Sequence, residues 1–129
     1  MARLGERATL TIALLFGATG FTLYAFASDE AVFLAAAPLI AMWGMATPSL
    51  QGLATRLRDA SEQGRLQGAL ASLRGVSGMI GPLLFTQIFS LSAAAGVFPG
   101  GAYLLSAALL GASLSAALAA GPRRARRLA

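Results

Sequence analysis

GVSGMIGPLLFTQIFSLSAAAGVFPGGAYLLSAALLGASLSAALAAGP, residues 75–122, runs for 48 residues without one charged side chain. A helix crosses the ~30 Å hydrocarbon core of a bilayer in about 20 residues. The run is therefore too long for one crossing and suits most of two. Gly96, Pro99, Gly100 and Gly101 gather near its middle, where helix-breaking residues mark a turn over Ser92–Gly101. Working outward, Ala31–Thr55 (25 residues) and Ala8–Ser28 (21 residues) are also uncharged, and each is one span. The sequence predicts an all-α membrane protein with helices near 8–28, 31–54, 66–91 and 101–121. The first run exceeds the apolar core of a signal peptide and leads directly into a second span, so it reads as a membrane helix.

Composition agrees. Apolar residues make up 57% of the 129, and mean hydropathy is +0.70, above a soluble domain. The chain has no Cys and no His, so thiolate metal sites, disulfides and imidazole acid–base chemistry are excluded. No span holds a pair of carboxylates, and no phosphate-binding glycine loop precedes a helix. These absences predict neither enzyme activity nor a cofactor.

The charges lie between the apolar runs and predict topology. Arg3, Glu6 and Arg7 precede the first run, and Asp29-Glu30 separates the first from the second. Arg56, Arg58, Asp59, Glu62 and Arg65 form the next break, and Arg123, Arg124, Arg126 and Arg127 close the chain. Basic loops stay in the cytoplasm. Both termini and the Arg56–Arg65 loop are thus expected inside the inner (plasma) membrane of the cell, and the acidic turn outside. The Arg123–Arg127 cluster is expected to meet anionic lipid and not nucleic acid.

Residues inside the spans suggest where helices meet and where a solute could pass. Gly68, Ala71, Gly75 and Gly78 share one face of the third span, Gly81 follows, and Ala108, Ala112, Ala116 and Ala120 repeat along the fourth. Small side chains let membrane helices approach closely, so both stripes are expected to pack. Pro38, Pro48 and Pro82 each remove a backbone hydrogen bond within a span and predict kinks. Gln51, Thr86 and Gln87 are the polar candidates for a solute path. Arg74 is the one charge within a span, placed to snorkel inward or to pair with a carboxylate on another helix.

The order of these motifs resembles one family. Arg3-Leu4-Gly5-Glu6-Arg7 before a span is similar to a cytoplasmic loop motif of the major facilitator superfamily. Thr47-Pro48-Ser49-Leu50-Gln51, then Gln63-Gly64-Arg65-Leu66-Gln67-Gly68, then Gly81-Pro82-Leu83-Leu84-Phe85-Thr86 resemble helices 10 and 11 of its tetracycline-resistance branch. The resemblance implies a twelve-helix transporter of which this chain holds the last third, helices 9 to 12, beginning at an internal start or truncation point. It also implies export of a drug-like small molecule such as a tetracycline, by proton antiport in the full-length protein. The bilayer, the solute and the remaining transporter helices are the implied partners. Members carry an acidic residue in helix 9, and Gly17 stands at the matching position here. Two other readings suit the span count: a four-span homodimeric exporter, and a non-transporting membrane subunit.

Overall fold

A computed structural model describes residues 5–56, 61–96, 98 and 100–120. It is all-helical among these residues, with α1 over Glu6–Phe26, α2 over Glu30–Trp43, α3 over Ala46–Arg56, α4 over Gln63–Ala94 and α5 over Gly101–Ala119. Four helical stretches are long and apolar enough to cross a membrane, α2 and α3 together forming the second, Glu30–Thr55.

The second span is two helices where one kinked helix was expected. Pro48 explains the position of the break. Its ring excludes the carbonyl four residues earlier, that of Gly44, and it has no N–H to offer. The chain therefore leaves the helix after Trp43 through two tightened turns, Gly44 N–H to Ala41 O (3.1 Å) and Met45 N–H to Met42 O (3.2 Å). It restarts at Ala46, with Pro48 in the first turn, where a missing donor is harmless. Ser49 secures the restart through its hydroxyl, which donates to Met45 O at 2.8 Å. Pro38 and Pro82 lie inside α2 and α4 without ending them. Pro48→Ala supplies the missing donor, and is expected to slow amide exchange at residues 44–47.

The α1–α2 and α4–α5 turns are built differently. Asp29 caps α2, its Oδ1 accepting the Val32 N–H at 2.9 Å. After α4, Gly96 adopts φ +59°, the left-handed conformation in which glycine is unstrained. Gly100 then lies against the Ala25 carbonyl and the Phe98 ring, where a Cβ would collide. That contact seats the α4–α5 turn on the end of α1.

At the centre stands α1, which packs most extensively on α5, then on α2 and α3. Its buried residues, Ala13, Leu14, Gly17, Gly20 and Ala25, recur at helical spacing. Gly17 and Gly20 are the close-approach points. A methyl at Gly17 would lie 2.8 Å from the Trp43 ring and 3.0 Å from Leu110, and one at Gly20 would lie 2.8 Å from Ile40. The glycines that seat helices are thus on the first span.

The stripes expected to pack are not used inside this chain. Gly68, Gly75, Gly78 and Gly81 have nothing within 4 Å of where a Cβ would stand. Neighbours of α4 are sparse, a few positions on α5 and α3, and no residue of α4 is buried. On α5, Ala108, Ala112, Ala116 and Ala120 are exposed, while Tyr103, Ala107, Leu110, Leu114 and Ala117 are half-buried. The face of α5 turned inward is another one, mixing small residues such as Ala107 and Ala117 with Leu110, which reaches the notch at Gly17. Large apolar residues such as Leu73, Met79, Leu83 and Leu91 stand exposed on α4, a surface for lipid or further helices.

Candidate functional site

Where the N-terminal half of α1, α3 and the C-terminal half of α5 diverge, they enclose a cavity of about 580 Å³. Its walls are mainly apolar, with Leu10 and Leu14 from α1, Leu50 and Leu53 from α3, and Ala116 and Ala117 from α5. The polar groups on it are Arg7, Thr11, Thr47 and Ser113. Thr11 donates its hydroxyl to Arg7 O (2.9 Å) and Ser113 to Leu109 O (2.9 Å). Both protons are thus spent within their own helices, and each oxygen keeps a lone pair for a solute.

The described part of the loop motif, Gly5 to Arg7, frames the rim of this cavity at the start of α1. Gly5 caps α1, its carbonyl accepting the Ala8 and Thr9 N–H groups at 2.8 and 3.2 Å. Glu6 stands in the first turn, where the helix dipole favours an anion. Its carboxylate lies against Gly52 of α3, so close that a methyl there would be 2.8 Å from an oxygen. Gly52 thus lets the start of α1 touch α3, and Arg7 reaches the cavity beside it. Arg3 and the loop residues Arg58 and Asp59 lie outside the described residues.

Arg74 and Gln51 meet across the α3–α4 gap. A guanidinium has donors only, so the Gln51 amide presents its oxygen, accepting from the two terminal Arg74 nitrogens at 2.8 and 3.2 Å. Among the described residues, an amide on the neighbouring helix thus meets this cation.

Other solute-path candidates stand apart. Thr86 and Gln87 are exposed on α4, twelve or thirteen residues beyond Arg74, about 18 Å along the helix. The structure does not bring them into one cavity with Gln51. Gly75 and Gly78, expected to pack, stand on the open flank of α4.

Above the cavity the bundle closes with aromatic rings that sequence reasoning missed. Phe21 meets Trp43 edge to face (centroids 5.5 Å) and stacks near Tyr103 (6.5 Å), while Tyr24 stacks on Phe33 at 4.0 Å. Trp43 packs its ring over Gly17. The space over Gly17 is therefore filled by an indole from α2. One signal was readable: Trp43 is the single tryptophan and stands deep in a span, away from the interfaces where Trp usually concentrates.

The chain has relatives among known proteins. It is 38% identical over 108 residues to the class G tetracycline resistance protein of Vibrio anguillarum, covering 84% of this chain and 27% of that protein. The class H tetracycline resistance protein of Pasteurella multocida is 41% identical over 90 residues, 70% of this chain and 22% of its own. The class D protein of Salmonella ordonez is 34% identical over 116 residues, 90% of this chain and 29% of its own. The chain matches the tetracycline-efflux branch of the major facilitator superfamily. It spans about a quarter of the length of these relatives. No family model matches the chain, and no solved structure does. Similarity to this branch extends over most of the four membrane helices, so Gly17, Trp43 and Arg74 belong to a part of the chain that the relatives share.

Proposed function

We propose that the chain forms helices 9 to 12, the C-terminal part, of a major facilitator efflux transporter. In the full-length protein it exports a drug-like small molecule such as a tetracycline, by proton antiport. The similarity to the class G protein across 84% of this chain carries the reading. Two features support it. The inner cavity has apolar walls with few polar groups, the usual make-up of a small-molecule site. The α4 helix has an open flank of glycines and exposed Leu and Met side chains, a surface suited to the remaining helices. The test is a helix swap: the chain replaces the matching quarter of the class G protein, and tetracycline resistance is measured.

The placement proposed is the inner (plasma) membrane, both termini in the cytoplasm. The arginines favour it, because they flank the inner ends of the spans while Asp29 and Glu30 hold the opposite turn. Alkaline phosphatase fused after Ala129 is expected to be inactive, and fused within the Asp29-Glu30 turn to be active. The reverse pattern would invert the bundle.

A further inference from the structure

Arg74 lies eleven residues past Gln63, the start of α4, about 16 Å along the axis. It stands nine residues beyond Arg65, the last charge at the inner end. Side chains on a helix lean toward its N-terminus, so Arg74 runs back toward the inner surface. There it meets Gln51, five residues before the end of α3 at Arg56. The guanidinium is thus held one to two helical turns above the inner headgroups.

Gln51 orients this cation without neutralising it. A guanidinium offers five N–H donors, and the single amide oxygen of Gln51 takes two of them, leaving part of the fork open. The amide carries no charge. Among the described residues the carboxylates are Glu6, Asp29, Glu30 and Glu62, all at helix ends. Beside Arg74 on α4, Gly75 and Gly78 leave open space, with nothing within 4 Å of a would-be Cβ. A charged group at membrane depth that is oriented and exposed, with no carboxylate of the described residues beside it, is suited to an anion.

We infer that Arg74, positioned by Gln51, is an oxyanion-binding site at inner-leaflet depth. Its ligand is a phosphate or carboxylate whose paired oxygens fit the guanidinium fork. One source is the headgroup phosphate of an anionic lipid drawn up beside α4, and the other is a soluble oxyanion entering from the inner side. The inference is drawn for the four-span chain, whose α4 flank is open. Further helices of a full-length transporter would cover that flank, so the site is tested on this chain and its failure leaves the efflux reading untouched.

The full 129-residue chain, labelled with 15N-arginine and held in phosphatidylcholine nanodiscs, provides the test. The Arg74 Nε–H resonance is assigned by its loss in Arg74→Gln. Arg74→Lys assigns it where Arg74→Gln fails to insert. Phosphatidylglycerol is then titrated into the discs, and separately inorganic phosphate into the buffer. A saturable shift of the Arg74 resonance is expected, and Gln51→Leu should raise the concentration needed for half saturation. A shift with phosphatidylglycerol alone identifies the lipid headgroup, and a shift with phosphate in pure phosphatidylcholine identifies a free oxyanion. An Arg74 resonance that neither probe moves, while the terminal arginines respond, overturns the site.

Discussion

Gly17→Leu is expected to drive Trp43 out of its place and to lower the stability of the helix bundle by about 1–3 kcal/mol, the usual cost of overpacking. Even the first added carbon would stand 2.8 Å from the Trp43 ring and 3.0 Å from Leu110. Those side chains come from α2 and α5, so one substitution wedges α1 away from two neighbours. The readout is built in, because Trp43 is the single tryptophan. Its emission should shift to the red and its quenching by a lipid- or water-borne agent should change. Gly17→Ala should do the same to a smaller degree. Gly17→Asp adds the burial of a carboxylate among an indole and a leucine, which costs more again. Gly78→Leu is the control: nothing lies within 4 Å of that position, so the isolated chain should tolerate it as well as Ala94→Leu. Equal losses at Gly17 and Gly78 would remove the notch as the organising contact.

The contrast between those glycines shows what is readable in the linear chain. Charge-free runs and the arginines that bound them disclose the four spans, because length and hydropathy are properties of each segment alone. The turn at Ser92–Gly101 is readable for the same reason at Gly96, whose φ of +59° is a local backbone requirement, whereas Gly100 answers to the Ala25 carbonyl of α1. Which glycine face packs is a different matter. Gly68, Gly75 and Gly78 form the more regular stripe, yet Gly17 and Gly20 receive the large side chains of α2 and α5. Helix–helix association depends on the shape of the opposite surface, which no periodicity within one helix reports. The same limit applies to the site. Gln51 and Arg74 each stand out as polar residues in a span, but their contact depends on the break at Gly44–Met45 and on the approach of α3 to α4. That break was legible only in part: a proline at 48 signals a disturbance, and its steric reach to the carbonyl of residue 44 sets where the helix ends.

Expressed alone in a drug-sensitive host, the 129-residue chain is expected to enter the membrane and leave tetracycline accumulation unchanged. The 580 Å³ cavity has walls from α1, α3 and α5 only, and Gln51 faces a gap bounded on one side by α4. Alternating access needs two halves that rock around a shared site, and the relatives this chain matches are about four times its length. The helix swap into the class G protein is expected to raise the inhibitory concentration of tetracycline above that of the empty host by about tenfold or more, the factor given by 1.4 kcal/mol in binding or barrier. Proton coupling is the sharper part of the test. Gly17 offers no carboxylate, and a proton carrier in the membrane is ordinarily an Asp or Glu. In everted vesicles the swapped protein should therefore depend on acidic residues of the remaining helices for any uptake driven by the proton gradient. Neutralising those residues should abolish it, while Gly17→Ala, which adds no titratable group, should not alter its pH dependence. Gradient-driven export by the short chain alone would instead make it a complete exporter, and would bring the homodimer of four-span subunits to the front.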